Sequence, residues 1–112
     1  MTVLLDHCVP QDLRHQFPDG CEVHTADYVG WANYNDTELL RAAEGEYDLF
    51  VTLDSSLKDQ QHLDGWAIGV IVLGVHPATP DYLESVMPKV REITREVADR
   101  EEVAVIRGAE ES

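Results

Sequence analysis

Short, nearly continuous apolar runs alternate along the chain with segments of helical periodicity. Val3-Leu4-Leu5, Leu49-Phe50-Val51-Thr52-Leu53 (in a segment beginning at Tyr47) and the run from Trp66 to Leu73 have the length and bounding polar residues of buried strands. The last of these is apolar almost throughout, as expected of a strand covered on both faces. Cys21-Glu22-Val23-His24-Thr25 alternates and predicts a second short strand, and Val103-Ala104-Val105-Ile106 predicts a final one. Pro10 suits the first turn of a helix running through Leu13 to Phe17, stopped by Pro18-Asp19-Gly20. Asn35 or Asp36 caps a helix whose apolar face is Leu39, Leu40, Ala42 and Ala43, ending near Gly45. Leu83, Val86, Met87, Val90, Ile93 and Val97 recur at helical spacing in a long helix from Pro80 to near Asp99. Ser55 to Leu63 reads as a short helix or turn, and Ala26 to Asn35, with turn formers and aromatics but no period, as a loop. Strands alternating with helices predict an α/β fold: three layers, α/β/α, around a mostly parallel sheet of about five strands with right-handed crossovers.

At 112 residues the chain is expected to form one domain, 1–112, with 108–112 a frayed tail. With 44% hydrophobic residues it can bury roughly 65% of its unfolded surface, enough for a core of its own. No apolar run approaches the ~18 residues of a membrane span. The N-terminus enters a strand directly, without the basic and apolar regions of a signal peptide, so the expected location is the cytoplasm. Cys8 and Cys21 lack zinc spacing and are expected to be reduced thiols. His15, His24, His62 and His76 are scattered without ligand spacing either.

Charge changes the picture more than composition does. Eight Lys+Arg face 22 Asp+Glu, a net charge of −14. Before residue 88 the cations are Arg14, Arg41 and Lys58; after it come Lys89, Arg91, Arg95, Arg100 and Arg107. Nucleic-acid affinity rests largely on neutralising phosphates with Lys and Arg. The chain alone is therefore expected to bind RNA or DNA poorly unless a metal, a basic partner or a patch from the last helix compensates. An acidic surplus is equally compatible with a role in solubility.

The candidate chemistry lies in the acids at strand and helix ends. Asp6 closes the first apolar run, Asp54 closes the third-strand run, and Asp36 and Glu38 open the helix leading into Leu39-Leu40. Parallel α/β sheets bind ligands outside the carboxyl ends of their strands. Two like charges about 4 Å apart there repel by about 4 kcal/mol at an effective dielectric of about 20. A divalent cation relieves that repulsion. Each acid also has a plainer role: Asp6 and Asp54 as caps of the turns that follow, Asp36 as an N-cap, Glu38 as the third residue of a capping box. His7 adjoins Asp6 as a candidate general acid or a solvated neighbour. Tyr28, Trp31 and Tyr34 either stack on unpaired bases or pack onto the domain or a partner. Gln60 and Gln61 either touch substrate or face solvent.

Taken together, Val3-Leu4-Leu5-Asp6-His7-Cys8-Val9-Pro10, Asp36-Thr37-Glu38-Leu39-Leu40 and Phe50-Val51-Thr52-Leu53-Asp54 resemble a compact branch of the PIN-domain nuclease superfamily. These are short PIN-like proteins similar to toxins of bacterial toxin–antitoxin pairs, and the resemblance covers roughly residues 2 to 75. It implies a Mg²⁺- or Mn²⁺-dependent ribonuclease with RNA as substrate. Asp6 and Asp54 would be metal ligands, with Asp36 or Glu38 as the third carboxylate. Thr52 would orient Asp54 or the attacking water. It further implies an antitoxin-like partner and pairing as homodimers, and the acidic cleft itself favours a basic partner that presents Arg or Lys. The chain departs from full-length PIN nucleases in lacking a further acid on an added helix. Only about fifteen residues separate Glu38 from Asp54, and whether Asp59 or Asp64 substitutes stays open.

Two other functions fit parts of the sequence. A PIN-like module without catalysis, acting by protein binding, accords with the missing acid and the scarcity of cations. A phosphoacceptor domain of the receiver kind accords with the length, the alternating order and Asp54 after the third strand. Against that last reading, His7 follows Asp6 where an acidic pair is needed, and neither Leu73 nor Ile106 is followed by Lys.

Overall fold

A computed structural model of the chain describes residues 1–6, 9–53, 67–74 and 80–107, excluding the side chains of residues 36, 37, 80 and 107. Five strands form one sheet: β1 (Thr2–Leu5), β2 (Glu22–Thr25), β3 (Leu49–Thr52), β4 (Gly69–Gly74) and β5 (Val103–Arg107). Every neighbouring pair is parallel, and the order is β2-β1-β3-β4-β5. A helix α1 (Asp36–Glu44) precedes β3, and a helix α2 (Pro80–Arg100) joins β4 to β5.

Strand side chains alternate between the two faces, and each face has its own apolar layer. Val3, Leu5, Leu49, Val51 and Ile71 point to one side and pack with Leu83, Met87 and Val90 of α2. Leu4, Phe50, Val70 and Val72 point to the other and pack with Leu39, Leu40 and Ala43 of α1. Helices on both faces of a parallel sheet make the expected α/β/α layering. Each fully buried Val, Leu or Phe contributes roughly 1.5–3 kcal/mol, so both layers hold the sheet.

Several boundaries differ from the sequence reading, each for a local reason. The segment after Pro10 is a 3-10 helix over Gln11–Gln16, not an α-helix. Pro10 stays extended, with ψ 130°, and Phe17 before Pro18 is extended too, with ψ 160°. A residue preceding proline avoids the α region, so only six residues remain between these stops. Cys21 lies outside β2 because its N–H closes a turn on Pro18 O (3.2 Å). Tyr47 lies outside β3 because its N–H bonds Ala43 O (2.8 Å), finishing α1. Strand β4 begins only at Gly69, and Ser55–Leu63 and the tail 108–112 lie outside the described residues. Among the described residues no helix is long and apolar enough to cross a membrane.

Candidate functional site

Register carries Asp6 to its partner. Strands β1 and β3 pair Leu4 with Phe50 and Leu5 with Val51. The ladder continues one step further, with Asp6 N–H donating to Val51 O at 2.9 Å. Asp6 therefore lies level with Thr52 on the next strand, and the two alternate onto the face that holds Leu4 and Phe50. The Thr52 hydroxyl donates to Asp6 Oδ2 at 2.7 Å. Both side chains are buried, Asp6 at 1% exposure and Thr52 at 0%. The turn after β1 is closed by the Asp6 main chain, whose carbonyl accepts from Val9 N–H at 2.9 Å. On the other flank the Ala26 N–H donates to Leu5 O (3.0 Å), which sets this small buried residue level with Asp6.

Helix α1 brings its first turn toward the same edge. Its C-terminal end lies at the opposite, amino edge, where Asp48 N–H donates to Thr2 O (2.9 Å). A nine-residue helix spans about 13.5 Å, so its N-terminus faces the carboxyl edge, on the side of Asp6 and Thr52. Asn35 is the N-cap, and Asp36 is the first helical residue. Glu38 N–H donates to Asn35 Oδ1 (2.8 Å), and Asn35 N–H donates to Glu38 Oε1 (3.0 Å). This reciprocal capping box engages the Glu38 carboxylate locally. Asp54, His7, Cys8, Asp59, Asp64, Gln60, Gln61, His62 and His76 lie outside the described residues, as does the Asp36 side chain.

The described part of this edge offers hard oxygen donors, a carboxylate and a hydroxyl, of the type that suits Mg²⁺ or Mn²⁺. Among the described residues no three His, Cys, Asp or Glu side chains come together as a ligand set.

Another cluster joins residues that periodicity left apart. Glu22 and His24 share one face of β2, and His24 reaches Tyr47, just before β3. His24 Nδ1 and the Tyr47 hydroxyl are 2.9 Å apart, and His24 Nε2 lies 3.2 Å from Glu22 Oε1. Burial, followed by the carboxylates of Glu46 and Glu22, pushes the Tyr47 hydroxyl above its ordinary pKa. The i, i+2 spacing of Glu22 and His24 was a readable signal for half of this cluster; the link to Tyr47 needed the sheet order. Of the loop aromatics, Trp31 packs against the α1-side core, Tyr34 stacks on Trp31, and Tyr28 stays 76% exposed.

No protein-family model matches the chain, and the curated proteins and solved structures yielded no match.

Proposed function

We propose that the chain is a Mg²⁺- or Mn²⁺-dependent ribonuclease of the PIN-like kind, the toxin half of a toxin–antitoxin pair, acting in the cytoplasm. The observation that carries this reading is the buried Asp6, bonded to Thr52 where β1 and β3 end. In the order β2-β1-β3-β4-β5 the chain direction across the sheet reverses between β1 and β3. Ligands of open α/β sheets bind at that switch point. Asp6 and Asp54 would hold the cation from neighbouring strand ends. Since Glu38 is engaged by its capping box, Asp36 is the better third ligand. Bound there, the cation would supply an acidified water and offset charge on the transferred phosphoryl group. The Thr52 hydroxyl donates to Asp6 Oδ2, and both side chains are buried at the ends of their strands.

The test is cleavage of a labelled single-stranded RNA in MnCl₂, beside calorimetric titration of the protein with Mn²⁺. Saturable uptake and cleavage are expected, with both abolished in Asp6→Asn and Asp54→Asn. Thr52→Val is expected to lose about 10–100-fold in activity as an outer-shell partner. Absence of both uptake and cleavage would leave the fold as a binding module without catalysis.

The strand order also favours a second reading, since receiver domains share the order 2-1-3-4-5. In that case Asp54 would take a phosphoryl group. Gly74 and Arg107 follow Leu73 and Ile106 where a lysine is required, so this reading ranks below the first. Incubation with acetyl phosphate separates them: a phosphorylated chain lost in Asp54→Asn supports the second alone.

A further inference from the structure

On the α1 side of the edge strand β2, five rings form a continuous row. Tyr28 lies 5.7 Å from His24, His24 5.8 Å from Tyr47, Tyr47 6.2 Å from Trp31, and Trp31 5.8 Å from Tyr34. Tyr47, the middle ring, is buried, His24 and Trp31 on either side of it are half-buried, and the two ends are open: Tyr28 is 76% and Tyr34 37% exposed. The loop presenting them is fixed by its own main chain. Trp31 N–H donates to Ala26 O (2.8 Å), Tyr34 N–H to Trp31 O (3.1 Å), and Tyr28 N–H to Thr25 Oγ1 (3.2 Å). Trp31 and Tyr34 lie nearly parallel, at 7°. Such a surface presents aromatic faces at little ordering cost.

The charge around it selects the occupant. No lysine or arginine occurs between Arg14 and Arg41, nor between Arg41 and Lys58. Glu22 touches His24, and Glu46 lies close enough to raise the Tyr47 hydroxyl. Among the described residues neither glutamate pairs with Lys or Arg. Phosphate is repelled by such a surface. An arginine is attracted twice, by the carboxylates and by the ring faces, on which its planar guanidinium stacks.

We propose that this row of rings, with Glu22 and Glu46 beside it, is the docking surface for an arginine-bearing segment of a partner protein. The inference rests on the partner half of the function proposed above and is independent of the metal chemistry. It places the partner on the β2 edge and the 27–34 loop.

The experiment measures binding of an oligo-arginine peptide, an oligo-lysine peptide of equal length and oligo-uridylate to the full chain. Wild type is expected to prefer oligo-arginine. The double variant Tyr28→Ala/Tyr34→Ala should bind it roughly tenfold more weakly and lose the preference over lysine. Tyr28→Phe/Tyr34→Phe keeps the ring faces and should retain it, a control that holds if the alanine variant folds poorly. Glu22→Gln/Glu46→Gln should weaken both peptides. Asp6→Asn should leave peptide binding unchanged while ending nuclease activity, so the two proposals fail separately. Equal binding of both peptides, unaltered in the alanine variant, reduces the effect to attraction by net charge and overturns the proposal. Ring-dependent binding of oligo-uridylate instead overturns it in favour of RNA. Self-association abolished by the alanine pair overturns it in favour of a second copy.

Discussion

Thr52 illustrates how much one hydroxyl decides. It is fully buried on a central strand, where an apolar β-branched residue is the ordinary choice, yet it donates to Asp6 at 2.7 Å. Thr52→Val preserves shape and β-propensity while removing that donor from a buried carboxylate. Hydrogen bonds to charged groups contribute about 1.5–3 kcal/mol, and the variant should lose stability of that order in urea titration. Thr52→Ser keeps the donor and should lose less. A Thr52→Val chain as stable as wild type would mean that the bond contributes nothing net to stability.

At the scale of elements, one close junction lies where α2 ends against β4. A Cβ on Gly69 would sit 2.5 Å from Val97 O and 2.9 Å from Ala98 Cα, both main-chain atoms of α2. Those two residues also supply the carbonyls that end the helix. Glu102 N–H bonds Val97 O and Glu101 N–H bonds Ala98 O, both at 3.3 Å, with Glu101 at φ 51°. This is a Schellman termination with glutamate in the left-handed place that favours glycine. Gly69→Ala should destabilise by about 1–3 kcal/mol, since rigid backbone must move. Glu101→Gly should stabilise by about 1 kcal/mol. Paired denaturation curves check both signs. Among the described residues the apolar periods predicted the five strands and the two α-helices, because burial writes itself into composition. The junction was not readable, because an unremarkable Gly-Val in an apolar run does not reveal which helix crosses it. The same holds for the site. Asp6 and Thr52 each mark a strand end in the sequence, but their contact depends on β1 and β3 being neighbours with Leu4 level with Phe50. The segment Pro10 to Phe17 misled for the opposite reason, since local proline geometry outweighed a helical pattern of only two apolar residues.

At the scale of the whole molecule, a net charge of −14 on 112 residues makes self-repulsion a standing cost. The cations that could offset it are unevenly placed. Lys89, Arg91, Arg95 and Arg100 lie on α2, where Arg91 and Arg95 donate to the main chain at Gln16 (3.1 Å) and Asp19 (3.2 Å). Helix α1, on the opposite face, carries Arg41 alone. Sodium chloride screens the repulsion, because the Debye length falls from about 30 Å at 0.01 M to about 3 Å at 1 M. The melting temperature should therefore rise with NaCl by a few degrees, on the order of 1 kcal/mol, and then level off. A resident cation site adds something screening cannot. Magnesium at the same ionic strength should raise the melting point beyond the sodium curve, with about 2.7 kcal/mol of stabilisation at a hundred times its dissociation constant. That excess should vanish in Asp6→Asn, while the sodium response persists. If magnesium follows the sodium curve in wild type, the acidic edge attracts ions only diffusely, and the metal-dependent reading fails even though the charge argument stands.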